Sequence, residues 1–125
     1  MPGTVRPRVG RVGGGPGDTR QSARRFPAVP LVISQLGGSN WLTAIELVRD
    51  TPNMYMELST ANVIFAVRLA ITEVPERTMF GSDAPYGDPV LARATVERVT
   101  RPGELRDRVL GGTFAELLSS RPSPR

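Results

Sequence analysis

Two short runs decide how this sequence folds: Asn53-Met54-Tyr55-Met56-Glu57-Leu58-Ser59 and Thr78-Met79-Phe80-Gly81-Ser82-Asp83-Ala84-Pro85. Each is a few apolar residues that give way to small and polar ones. A short apolar run bounded by turn residues is how a strand of a parallel sheet reads. The segment between them is of helix length. Thr60 or Asn62 can open a helix running to about Glu73, and its residues are apolar almost all round apart from Arg68, so it is expected to be well buried.

Working outward, Leu31-Val32-Ile33 lies between Pro30 and Gly37-Gly38 and reads as a third strand, buried on both faces. Ser39 or Asn40 can cap the helix after it, which carries Trp41, Ile45 and Val48 on one face and stops at Asp50-Thr51-Pro52-Asn53. Downstream, Asp88 before Pro89 is a capping carboxylate followed by proline at the first helical position, which predicts a helix to about Val99. Pro102 opens another short helix, which Gly111-Gly112 should end. Thr113-Phe114-Ala115-Glu116 then has the pattern of a capping box for a last helix packing through Phe114, Leu117 and Leu118.

Strand alternating with helix three times means parallel strands joined by right-handed crossovers. Three such units leave two sheet edges bare and one face in need of cover. The pattern belongs to a larger architecture.

The front of the chain has another character. Residues 1–25 hold six arginines against one acid, Asp18, whereas the rest holds ten arginines and eleven acids. The net charge of +4 therefore resides in the front, and the body is near neutral. Rich in Gly and Pro and poor in large apolar groups, residues 1–26 are expected to be a disordered tail. No aromatic is interleaved among its arginines for base stacking, Phe26 lying at its edge, so nucleic acid is not the expected partner. Residues 120–125 read as a frayed end. Neither Gly10-Arg11-Val12-Gly13 nor Gly37-Gly38 has the spacing of a phosphate loop.

Composition excludes more than it suggests. There is no Cys and no His among 125 residues, so thiolate sites, cysteine nucleophiles and imidazole ligands or bases are all absent. No apolar run approaches the roughly 18 residues of a membrane span. Arg24-Arg25-Phe26 has a trace of an export signal, but two prolines interrupt the stretch after it, and a cytoplasmic location is expected.

Four landmarks occur in order: Ile33-Ser34-Gln35-Leu36-Gly37-Gly38, Asn53 to Ser59, Phe80-Gly81-Ser82-Asp83-Ala84-Pro85, and Leu110 to Leu118. Together they resemble the C-terminal end of the amidohydrolase-related family of metal-dependent hydrolases, which includes decarboxylases of aromatic acids. The resemblance covers about Pro27 to Leu118. It implies an α/β fold, a partial (β/α)8 TIM barrel over residues 27–119, comprising strands six to eight and closing helices. It implies that Asp83 binds the catalytic metal, zinc or manganese, and handles the proton of its water, and that Gln35 and Ser59 lie on the substrate side. Small-molecule substrates are implied as well.

Read without the family, Asp83 makes an Asx-turn ahead of Pro85. Ser59 either touches substrate at the barrel mouth or, with Thr60, caps the next helix; Glu57 either lines a barrel or faces a helix. Trp41, Met54 and Met56 read as core. Two positions depart from the family pattern. Gln35 stands where histidine is usual, and glutamine neither accepts a proton at neutral pH nor binds metals well. Thr113 stands where asparagine is usual. The family's paired histidines after the first strand and a further middle-strand histidine have no counterpart here. A lone carboxylate is a poor holder of a catalytic ion, which takes about three protein ligands. The expectation is a truncated or inactive relative of these enzymes. The alternative is a non-catalytic module that pairs through its sheet edges, as a homo-oligomer or with a complementing N-terminal half-barrel.

Overall fold

The computed structural model describes residues 16–59 and 63–120. In chain order the elements are α1 (Pro16–Arg25), β1 (Leu31–Ile33), α2 (Trp41–Asp50), β2 (Met54–Glu57), α3 (Ile64–Glu73), β3 (Thr78–Met79), α4 (Pro89–Val99), α5 (Glu104–Asp107) and α6 (Thr113–Ser119). Tight 3-10 turns occupy Ser34–Asn40 and Pro75–Arg77, and a π turn occupies Arg108–Gly112.

The three strands form one parallel sheet in the order β1-β2-β3. Leu31 and Ile33 lie opposite Met54 and Met56, and Met56 and Glu57 lie opposite Thr78 and Met79. Because side chains alternate along a strand, this register places Leu31, Ile33, Met54, Met56 and Thr78 on one face. That face is the core. Met54 and Met56 are fully buried with Ala44, Ile45 and Val48 of α2 and Ala66, Val67, Ala70 and Ile71 of α3. Each such methionine contributes about 1.5–3 kcal/mol of burial. Thr78 is buried there too, its hydroxyl donating to the carbonyls of Val74 (2.8 Å) and Ala70 (3.3 Å).

The opposite face carries Val32, Tyr55, Glu57 and Met79. The C-terminal segment approaches this side: Tyr55 and Arg77 share a cavity of about 340 Å³ with Arg108, Thr113 and Leu117. The outer edge of β3 is closed as well. The π turn routes the Thr113 N–H to the carbonyl of Arg108, five residues back, and the carbonyl of Val109 accepts from Phe80 N–H at 2.8 Å. Phe80 N–H points away from β2, because Met79 is the residue bonded to it.

Several expectations are corrected. Within the stretch expected to be disordered, Pro16–Arg25 form α1, while residues 1–15 lie outside the described residues. Helix α1 docks through Ala23, which is fully buried, and ends on Arg24 and Arg25, cations suited to a helix C-terminus. The Asn53 amide supplies what composition did not show, donating to the carbonyls of Ala23 (2.9 Å), Phe26 (3.1 Å) and Val29 (2.9 Å). Strand β1 is not buried on both faces, since Val32 is 44% exposed at the sheet edge. Helix α3 buries one face only and leaves Ile64 and Phe65 exposed. The expected capping residues Thr60 and Asn62 lie outside the described residues, and Asn40, at the start of α2, makes no capping bond through its side chain.

Gly111-Gly112 does not stop a helix. Gly112 and Thr113 both have right-handed helical backbone, so α5, the π turn and α6 run on without a break. The Thr113–Glu116 capping box therefore does not form. The extra residue in the turn rotates the helix phase by about 100°. Thr113 is buried in consequence, and Phe114 and Leu118 are left exposed. Asp88, by contrast, caps α4 as expected, accepting from Val90 N–H at 2.7 Å and Leu91 N–H at 3.4 Å.

Candidate functional site at the C-terminal ends of the strands

In a parallel sheet all strands end on the same side, so the segments after Ile33, Glu57 and Met79 form one rim. Gln35, Ser59 and Asp83 all lie there. Hydrogen bonds to one carboxylate join two of them.

Gln35 and Ser59 are joined through Glu57. Its Oε1 accepts from Ser59 N–H at 2.6 Å, and its Oε2 accepts from the Ser59 hydroxyl at 2.7 Å and from Gln35 N–H at 3.2 Å. Ser59 is buried, whereas Gln35 is exposed. The backbone at Gln35 and Leu36 is left-handed (φ 57° and 54°), and Gly37 continues the turn at φ 80°. Gly81, at the end of β3, completes the enclosure. A Cβ there would collide with the Glu57 carboxylate.

Asp83 lies on the loop between β3 and α4. Its backbone is left-handed too (φ 57°), and its carbonyl accepts from Gly87 N–H at 2.8 Å, closing the loop on itself. The same loop borders a cavity of about 440 Å³ lined by Leu58, Val67, Ser82, Tyr86, Leu91 and Val96, among others. Asp83 is not part of that lining, nor are Gln35 and Ser59. The cavity opens between α3, α4 and the loop, on the Leu58 side of the sheet.

Among the described residues no three acidic, histidine or cysteine side chains come together as a metal site would require. Glu57, the other carboxylate at the rim, already accepts three hydrogen bonds. The donor set present does not by itself fit a catalytic metal.

Sequence reading left the direction of Glu57 open, and its role as the meeting point of the rim was missed. The alternation of Met54 and Met56 with Tyr55 and Glu57 could have assigned its face. The backbone donor at Gln35, 22 residues away, leaves no trace in composition or spacing.

A parallel βα sheet with polar residues at the C-terminal ends of its strands is the arrangement of α/β-barrel proteins. The sequence profile of the amidohydrolase family matches residues 16–119, and the chain belongs to that family. The match takes in α1, which the four landmarks did not reach. No curated protein matches the chain. Among solved structures, the 5-carboxyvanillate decarboxylase LigW from Sphingomonas paucimobilis superimposes with a TM-score of 0.61 at 21% sequence identity. The likeness covers 78% of this chain and 36% of the decarboxylase, so the chain spans little more than a third of that enzyme. The fold is accordingly a partial TIM barrel. Among the described residues, no helix is long and apolar enough to cross a membrane.

Proposed function

We propose that this chain carries the last-strand portion of an amidohydrolase-type site and does not turn over substrate by itself. The observation that carries the reading is the donor set: no histidine anywhere in the sequence, and, among the described residues, no group of three acidic, histidine or cysteine side chains around Asp83 or elsewhere. A bound divalent ion strongly acidifies its water, to a pKa of about 7 in a zinc site. Asp83 is the residue of this chain that would contribute to holding such an ion, zinc or manganese, if the other ligands came from elsewhere. Gln35 and Ser59 then belong to the substrate side of the rim. The substrate class is a small molecule, in keeping with the aromatic acid named for the decarboxylase, and the cytoplasm is the place of action.

The test is a turnover assay of the purified chain with zinc or manganese added, against aromatic carboxylic acids for decarboxylation and against amide and ester substrates for hydrolysis. The expected result is no rate above the metal-only control. Turnover abolished by Asp83→Asn would contradict the reading.

A second reading is supported by the sheet edges, which are unequal. The β3 edge is closed by the Val109 carbonyl, while at β1 Val29 and Val32 are about half exposed. The β1 edge suits pairing with a complementing half-barrel or a second copy. Light scattering after size exclusion would show a species larger than one chain in that case, and a compact monomer would count against self-pairing.

A further inference from the structure

Glu57 has no assigned role in the reading above, yet it touches the ends of all three strands. We propose that Glu57 is a positioning residue: its carboxylate holds Gln35 in a left-handed turn and keeps Ser59 folded back on β2, and so fixes the shape of the rim. The proposal rests on the functional reading only for what the rim is used for. The geometry stands by itself.

An ionised carboxylate has acceptor sites and no donor, and here three donors converge on it, namely Gln35 N–H, Ser59 N–H and the Ser59 hydroxyl. An amide at this position would turn its NH2 toward at least one of those donors. The turn that Glu57 supports is one the chain would otherwise avoid. Gln35 and Leu36 are consecutive residues with a Cβ in left-handed backbone, a conformation that side chains disfavour and that persists only where surroundings impose it. Leu36 is held by burial, being 3% exposed. Gln35 is exposed, so its N–H bond to Glu57 is the hydrogen bond that ties it down.

Gly81 reports on the same device. Its backbone is not in the left-handed region, so its own conformation does not call for glycine. What requires the missing Cβ is the carboxylate of Glu57 lying against it. One side chain thus accounts for a strained turn after β1, a buried serine after β2 and a glycine after β3.

The test uses the whole chain and NMR of backbone amides. In the unmodified protein, Gln35 and Leu36 should show the strong intraresidue HN–Hα contact of positive φ. Glu57→Gln is expected to abolish that signature at Gln35 and to reduce exchange protection at Gln35 and Ser59 by roughly tenfold or more, the range of a hydrogen bond to a charged acceptor. Glu57→Asp should split the two effects. The shorter carboxylate still reaches Ser59 N–H two residues on, as in an Asx-turn, but loses Gln35. Gln35→Gly placed on Glu57→Gln should restore the turn at Leu36 and Gly37 without restoring Ser59, because glycine adopts φ above zero unaided. Should Glu57→Gln not fold, Glu57→Asp and Gly81→Ala carry the test. Gly81→Ala should reproduce the loss at Gln35 in the presence of Glu57 and be far milder on Glu57→Ala. The proposal is overturned if Gln35 keeps its signature and protection in Glu57→Gln or Glu57→Asp, or if Gly81→Ala is equally damaging with and without Glu57. Turnover by the chain would sink the functional reading and leave these outcomes untouched.

Discussion

Asn53 shows how much a single amide can organise. Its two N–H hydrogens are shared among three carbonyls, one at the C-terminal end of α1 and two in the loop after it. Asn53→Ala is expected to destabilise the chain by about 1–3 kcal/mol, read as a lower urea midpoint at unchanged slope, with exchange protection lost in α1 first. Thr113 presents the reverse case. Its hydroxyl is buried and has no hydrogen-bond partner among the described residues, so it carries a desolvation cost. Thr113→Val keeps the shape and removes that cost, and should stabilise by about 1 kcal/mol in the same measurement. At this scale the sequence was legible where a residue acts on its neighbours, as Asp88 does on Val90 and Leu91. It was illegible where partners are distant backbone groups. Asn53 was read only as the end of α2, and Glu57 was left without a direction.

Among elements, the start of α4 at Asp88 and the end of α2 at Asp50 follow local chemistry as expected, whereas the stop expected at Gly111-Gly112 does not occur. Asp88 and Pro89 start α4 through contacts within three residues. Asp88→Ala should cost about 1 kcal/mol and fray the first turn of α4, detectable by amide exchange at Val90 and Leu91. Gly111-Gly112 misled because glycine at a helix end is only a statistical marker. Whether the helix stops depends on tertiary packing, and here the Val109 carbonyl is used by β3 and Thr113 is buried. The sign of Gly112→Ala separates the two cases. Gly112 has φ −62°, and a Cβ there would meet nothing closer than 3.5 Å, so alanine should stabilise by about 0.5–1 kcal/mol. A left-handed helix stop at this position would instead make alanine destabilising. Helix α1 escaped notice for a related reason. Its composition is that of a tail, and its order comes from docking Ala23 and from Asn53, neither of which a local window can contain.

For the whole molecule, the alternation of strand and helix was enough to give three parallel βα units, since the periodicity of apolar residues is set by which faces are buried. Extent of burial was not readable. Val32, Phe65, Tyr86, Val90 and Leu91 stay exposed, although their apolar character in sequence suggests a larger core. The rim is likewise half legible: Gln35, Ser59 and Asp83 follow the three strands as the ordered landmarks place them in the chain, while the joining of Gln35 and Ser59 through Glu57 required coordinates. What the molecule lacks is a set of imidazoles to share a cation with Asp83. Equilibrium dialysis of the purified chain against zinc and against manganese measures this directly. The account expects well under one ion bound per chain, with no change on Asp83→Asn. One tightly held ion per chain, lost in that variant, would contradict it.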